Sequence, residues 1–416
     1  MALHSTSGSA PTPLVPVLVA SFLSSIGTGV VTNGVFFISA QGYAFSKTDN
    51  YWLALVLGIT YIAGASQAGR IMGALSRLGI STRALLGAQL AAMAALAALP
   101  WAAGLVLGGR PVWALWVLVI VYSPISGILW PTIESYISGG RDGPSMRLAL
   151  GHFNWVWSSA TVLALLFMGP LVEDRPVEML AALAALHILT IPLLAWFTKE
   201  PGAHGDGHTP DPRSVELLRV FRVLLPVSYA VATAMGPYLP TALESLGVDG
   251  RWRAPLAGVW HAARVFVFVA LGLWHGWHGR WWPAWIATLL LIAGFSLVVL
   301  SGGSEALGLG IFISGLFAFG VGMATIYTSA LYYAQEVGSA KVGAGGAHEA
   351  FIGIGYSVGP TFGLVASGAV RAGILSERRF ESSVVLMVGV VAAAIVLPVF
   401  LKRRFSRRRT RARASQ

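Results

Sequence analysis

Arg264 stands in an otherwise apolar run, Trp260-His261-Ala-Ala-Arg264-Val-Phe, and is the side chain here best placed for ionic chemistry. His261 precedes it by three residues, so on a helix the two share a face. Such a pair can anchor an anionic group or switch charge with a ligand. Equally, the guanidinium can be half of a structural ion pair with an acid on another element, because a buried charge without any partner is not tolerable. Glu134, in Trp130-Pro-Thr-Ile-Glu134-Ser-Tyr136, and Glu349, beside His348, are carboxylates in similarly apolar company. A carboxylate withdrawn from water can carry a proton, which makes both candidates for proton coupling. The plainer alternative is that each ties element ends together near an interface. Asn33, Asn154, Tyr229, Tyr238, Tyr327 and Tyr332 add uncharged polar groups inside apolar stretches, and Trp130, Trp155, Trp157 and Trp260 add rings deep enough to line a cavity.

Metal and thiol chemistry are poorly provided for. The chain has no cysteine, which excludes disulfides, thiolate metal sites and a cysteine nucleophile. His204-Gly-Asp206-Gly-His208 offers two imidazoles and one carboxylate on a Gly-rich stretch, too few ligands on too flexible a support. No Gly-x-x-x-x-Gly-Lys-Ser/Thr phosphate loop occurs, so nucleotide-driven chemistry in this chain is not expected. Neither a metal nor a cofactor is expected.

The elements that must position these residues follow from hydropathy. Of 416 residues, 56% are hydrophobic and only 11% charged, against about a quarter charged in an ordinary soluble domain. The mean hydropathy is +0.71. A chain this apolar cannot cover its surface with polar groups in water, whereas lipid accepts it. The 49 glycines fit too, since small residues let helices approach closely in lipid. A spanning helix needs about 20 mostly apolar residues. Twelve such stretches are expected: Leu14–Ala40, Trp52–Met72, Ala84–Gly104, Val112–Ile137, Leu148–Val172, Met179–Phe197, a seventh ending near Leu246, Ala254–Trp274, Trp282–Leu300, Leu307–Tyr333, Gly345–Val370 and Ser383–Leu401. The seventh is preceded by a short basic amphipathic turn, Ser214–Arg222. The fold class is thus an all-α membrane protein of twelve transmembrane helices. The Pro-, Gly- and charge-rich break Lys199–Arg213 divides it six and six. Residues 1–198 form an N-terminal six-helix half, 199–216 a cytoplasmic linker, 217–401 a C-terminal six-helix half and 402–416 a basic tail, the halves being pseudo-symmetric.

Charge orients the chain. Net charge is +11, and eight of the 28 basic residues lie between Lys402 and Arg413. A basic tail beyond a final apolar span implies positive-inside topology with both termini cytoplasmic, and attraction to anionic membrane lipid. It does not imply nucleic-acid binding, since only Phe405 interleaves the tail with an aromatic ring. Arg77, Arg83, Arg141, Arg147, Lys199, Arg213, Arg219, Arg222, Arg280 and Lys341 fall on the same side. The basic residues of the other side sit beside acids, among them Asp49, Glu173, Asp174, Asp249, Glu377 and Glu381. Met1–Pro13 has no Lys or Arg and no signal-peptide pattern.

Three stretches carry a family resemblance. Gly73-Ala-Leu-Ser-Arg77-Leu-Gly79-Ile-Ser-Thr-Arg83, between the second and third spans, resembles a degraded loop signature of the major facilitator superfamily. Gly73, Arg77, Gly79 and Arg83 match it in kind, and its acid is missing. In that family these residues help lock the cytoplasmic gate. Gly355-Tyr-Ser-Val-Gly359-Pro360-Thr-Phe-Gly363 resembles the Gly-Pro signature of family antiporters, which belongs in the fifth span; the fifth span here keeps Gly169-Pro170. Such a run lets a helix bend and neighbours approach. The openings of the fifth and eleventh spans also resemble each other, a base, then Gly151 or Gly346, then Asn154 or Glu349 three residues on.

The resemblance implies a secondary transporter, not an enzyme. It would move a small organic solute across the cell membrane by alternating access, with proton coupling as an option; the compact loops and short tails point to a bacterial inner membrane. It would act as a monomer, with membrane lipid as its other partner. Asn33, Asn154 and Tyr327 rank as substrate-binding candidates because the first, fifth and tenth spans line the family's cavity; Trp157, His261 and Arg264 join them. Arg264 leans to an organic anion. Two alternatives come from other classes. A polytopic membrane enzyme acting on lipid needs a ligand or acid–base cluster at one interface, for which His275 and His278 are the best residues available. A non-transporting sensor or assembly factor has no sequence signature.

Overall fold

The computed structural model describes residues 11–141, 143–172, 174–202, 211–301, 305–337 and 342–414. Among the described residues, twelve helices are long and apolar enough to cross a membrane: α1 Leu14–Asn33, α2 Lys47–Arg77, α3 Thr82–Leu107, α4 Val112–Ser138, α5 Gly143–Met168, α6 Pro176–Trp196, α7 Pro212–Ser245, α8 Gly250–Leu273, α9 Trp282–Leu300, α10 Gly308–Val337, α11 Gly345–Arg371 and α12 Glu377–Leu401. The chain is a multi-pass membrane protein. His204, Asp206, His208, Glu173 and Lys341 lie outside the described residues, as do the side chains of the basic tail.

Several boundaries move outward from the hydropathy reading because polar residues cap helices beyond the apolar run. α2 begins at Lys47 and not at Trp52: Ser46 accepts from the Asp49 backbone N–H while the Asp49 carboxylate accepts from the Ser46 N–H, a reciprocal capping box. The separate basic turn expected before the seventh span is instead the first turns of α7 itself, a continuous helix from Pro212 to Met235 started by Asp211, whose side chain accepts from the Arg213 N–H. Proline at the first helical position suits this start. α1 departs in another way. Its turns over Thr28–Asn33, and those that follow α1 over Ile38–Gly42, are wide. The Gly34 N–H reaches the Gly29 carbonyl at 2.7 Å, five residues back, and the Asn33 amide donates to the Thr28 carbonyl at 3.1 Å.

Four of the helix contacts have counterparts six helices on. α2 packs on α4 and α8 on α10; α1 on α5 and α7 on α11; α3 on α6 and α9 on α12; α3 on α4 and α9 on α10. α2 packs extensively on α11, and α5 packs on α8. Together with α4 on α11, these contacts join the α1–α6 group to the α7–α12 group. Burial follows: 72% of the most apolar window of α7 is interior against 28% for α12, so α7 is central and α12 peripheral. The outer faces carry large apolar side chains, such as Val106, Phe266, Leu289 and Leu386, as contact with lipid tails requires.

Without a hydrophobic force between helices in lipid, closeness comes from small residues. A Cβ at Gly58 would lie 2.5 Å from the Tyr356 carbonyl oxygen on α11; one at Gly64 would lie 2.0 Å from the Pro124 carbonyl oxygen on α4. Gly355 and Gly359 press against the α7 backbone at Pro226 and Ala230, and Gly363 against the Tyr51 ring of α2. The expected helix-bend run of α11 thus forms contacts on two sides, and the helix is continuous through Pro360.

Two α2 glycines test this packing. Gly58→Val is expected to destabilise the protein by about 1–3 kcal/mol through overpacking. Gly73→Ala, where an added Cβ meets nothing within 4 Å, is expected to be neutral or stabilising by up to about 1 kcal/mol. Melting of the purified variants in detergent reads both.

Candidate functional site

A cavity of about 1040 Å³, counting its open mouth, lies among α1, α2, α4, α5, α7, α8, α10 and α11, and its lining continues onto Phe36 and Phe37 just beyond α1. No residue of α3, α6, α9 or α12 lines it. Of the sequence candidates it gathers Asn33, Glu134, Trp157, His261, Arg264, Tyr327 and Glu349. Tyr61, Tyr229 and Tyr356 also line it. Tyr61 and Tyr356 were not legible as site residues, since a lone tyrosine in an apolar helix has no distinguishing pattern.

Arg264 is 2% exposed. Its guanidinium carbon lies 4.4 Å from the Trp157 ring centre, 5.2 Å from Trp260, 5.4 Å from Phe268 and 5.6 Å from Tyr327. The Tyr229 side chain is a hydrogen-bond partner of the guanidinium, but Nε and Nη2 have none, and none of the four ion pairs among the described residues includes Arg264. The structural ion pair weighed from the sequence is therefore not what the geometry supplies. Desolvating the cation costs several kcal/mol, and a desolvated cation–π contact returns only about 2 kcal/mol. Other polar atoms beside it are also unpartnered: Trp157 Nε1 and both His261 ring nitrogens. The His261 ring lies against Trp260, centres 3.6 Å apart. The outcome is an aromatic-walled recess with several N–H donors pointing at no acceptor.

The carboxylates meet at another part of the same cavity. Glu134 of α4 and Glu349 of α11 are 1% and 4% exposed. With the buried His348, each can offer one ligand atom such that all three lie within 4.8 Å of one another. The Tyr61 hydroxyl of α2 donates to Glu349 Oε2. Glu134 has no hydrogen-bond partner other than the Glu349 carboxyl facing it, and Nε2 of His348 has none. Gly345 leaves room here, since a Cβ on it would lie 3.0 Å from Glu134 Oε2.

The remaining candidates sit elsewhere. Asn154 faces a second, smaller cavity of about 400 Å³ with Arg147, His275, His278, Thr328 and Tyr332. Trp155 is 38% exposed and lines neither cavity. Burial, then His275 and Arg147, push the His278 imidazole down to about 4, so it is neutral at neutral pH. No ligand cluster forms around His275 and His278 among the described residues; the one such group is Glu134, His348 and Glu349. In the gate-loop stretch, Gly79 takes φ +75°, a left-handed turn that suits glycine. Gly73 and Arg77 are exposed. Arg83 donates to the Phe197 carbonyl at 3.0 Å, just past α6, and the Thr82 N–H and hydroxyl both donate to Glu200. Glu200 thus supplies an acid at the start of α3 that the sequence motif lacks.

No family model matches this sequence, and no curated protein matches it. Solved structures do resemble it. They include the human organic anion transporter MFSD10 (TETRAN), 14% identical over 93% of this chain and 98% of that one, TM-score 0.62. The nucleoside transporter NupG is 12% identical over 93% and 98%, TM-score 0.59. A bacterial homologue of the human lysosomal transporter Spinster, inward-facing and unoccupied, is 16% identical over 94% and 97%, TM-score 0.65. This chain has the fold of these transporters.

A buried cation with no acid beside it predicts a stability effect opposite to most core substitutions. Arg264→Met is expected to raise the melting temperature of the ligand-free protein, by analogy with buried ionic groups whose apolar replacement stabilises by about 1–4 kcal/mol. A lower melting temperature would show that the guanidinium has a stabilising partner.

Proposed function

We propose that the protein is a secondary active transporter that moves a small organic anion across the cell membrane by alternating access. The observation that carries this reading is Arg264: a guanidinium buried without an acid, among unpartnered donors, in a cavity lined by helices on both sides of the Lys199–Arg213 connector. A carboxylate or comparable acidic group on the solute supplies the missing acceptor, and the rings of Trp157, Trp260, Phe268 and Tyr327 suit an apolar or aromatic body. The residues 1–198 and 217–401 act as the two six-helix halves, rocking around the cavity with α2–α11 and α5–α8 as their seams. Asn33 and Tyr327 contact the solute as it sits in the cavity. Asn154, on the second cavity, belongs to the path between solute and membrane face.

Glu134 and Glu349 hold the coupling cation. Two carboxylates this close in a water-poor site need a positive partner, and a proton is the smallest that serves. Both termini lie in the cytoplasm of a bacterial cell, with the basic tail on anionic lipid of the inner membrane. Gly73, Arg77, Gly79 and Arg83 belong to the cytoplasmic gate, and the Gly355–Gly363 run, with Gly359 and Pro360, is the segment of α11 that flexes. The protein works as a monomer. MFSD10 is named as an organic anion transporter and NupG as a nucleoside transporter, so the fold accommodates the proposed class without dictating it.

Proteoliposomes loaded with a panel of radiolabelled aromatic and aliphatic carboxylates test this. Uptake of at least one anion, reduced at least tenfold by Arg264→Gln, is the expected result. If every anion is excluded, or if Arg264→Gln transports the accepted anion at the parent rate, the proposed role of the cavity is wrong.

A further inference from the structure

We infer that Glu134, His348 and Glu349 form a binding site for a divalent first-row transition cation, which fastens α4 to α11. The three side chains are buried, and their candidate donor atoms lie within 4.8 Å of one another. A proton shared between the two carboxylates would account for Glu134 and Glu349 alone. It leaves Nε2 of His348 buried with no partner, and that atom is one of the unpartnered ones. A metal ion satisfies all three groups at once.

The donor set selects the ion. Two carboxylates and one imidazole suit zinc, manganese or a neighbouring first-row ion. Magnesium and calcium prefer oxygen ligands throughout, and the chain has no thiol to favour softer ions. Metal–ligand bonds of about 2.0–2.2 Å require the three donors to draw in by up to about 1 Å, within reach of side-chain rotation. Two negative charges match a divalent ion. Three protein ligands leave a coordination position open towards the cavity, as in sites that exchange their contents and unlike closed four-ligand structural sites. Tyr61, donating to Glu349 Oε2, orients one ligand from α2, the kind of supporting bond whose loss typically weakens metal affinity 10–100-fold. Because α4 and α11 lie on opposite sides of the connector, the full ligand set exists only while the two helices touch. A cation therefore favours that arrangement over any in which they separate. The inference shares its carboxylates with the transport reading, but cation binding is measurable without any solute.

The test is calorimetric titration of zinc chloride, with manganese binding followed by electron paramagnetic resonance, into the untagged full-length protein in detergent. One tight equivalent is expected. His348→Gln and Glu134→Gln should each lower affinity at least tenfold, and Tyr61→Phe about tenfold while keeping all three ligands. The double variant His204→Gln, His208→Gln should bind like the parent. Equal zinc affinity in the parent and in His348→Gln, or loss of binding in the His204/His208 variant, overturns the site. Metal-free melting curves identify a variant that fails to fold, in which case Tyr61→Phe decides. Zinc binding without anion uptake leaves this site standing and removes the transport reading; anion uptake without zinc binding does the reverse.

Discussion

Helices in lipid must be drawn together without the force that drives packing in water, and this protein does so by letting backbones touch. Gly58 against Tyr356, Gly64 against Pro124 and Gly359 against Ala230 fix three of its central seams. Each exchanges side-chain volume for dispersion contact and short interhelical distance. Everything else is arranged around these lines of contact. Where glycine and alanine face each other the bundle is solid. Where tryptophan, tyrosine and arginine face inward, the helices cannot close, and the cavity is the space that remains.

That space has two chemically opposite regions. Around Arg264 the unpartnered atoms include guanidinium and indole N–H donors; around Glu134 they are carboxylate oxygens. Tyrosines 229, 327 and 356 share the same lining, and a phenol can donate or accept. In a medium of low polarisability such charges are felt strongly, so the loaded and unloaded cavity differ greatly in electrostatic energy. An anion near Arg264 and a cation near Glu134 each relieve the region they enter.

The sequence made the gross architecture legible because span length is a one-dimensional property: about 20 apolar residues either occur or they do not. It also exposed Arg264, since a charge in an apolar run is visible without a structure. It did not expose who pairs with whom. Whether Arg264 has an acid beside it depends on tertiary placement, and the position-based reading of Glu134 and Glu349 as helix-end ties could not foresee that α4 and α11 bring them together beside His348. Asn33 and Asn154 looked equivalent as lone amides within spans, yet they line different cavities, because the rotation of each helix about its own axis is set by neighbours. The helix ends were misplaced where capping chemistry at Ser46 and Asp211 carries a helix past its apolar stretch.

The wide turns of α1, and those just beyond it, have a consequence for motion. A turn that spans five residues between donor and acceptor stores one residue more than the α-helical ladder needs. If the ladder at Thr28–Asn33 tightens to ordinary α-helix, every residue beyond it rotates by about 100° and advances by about 1.5 Å. Asn33, Phe36 and Phe37, which line the cavity, would swing off it together, and a second store of slack at Ile38–Gly42 can absorb the displacement before the loop that leads to α2. Such a tightening would act as a rotary clutch within the first helix, exchanging the side chains that line the cavity while the bundle around it stays packed.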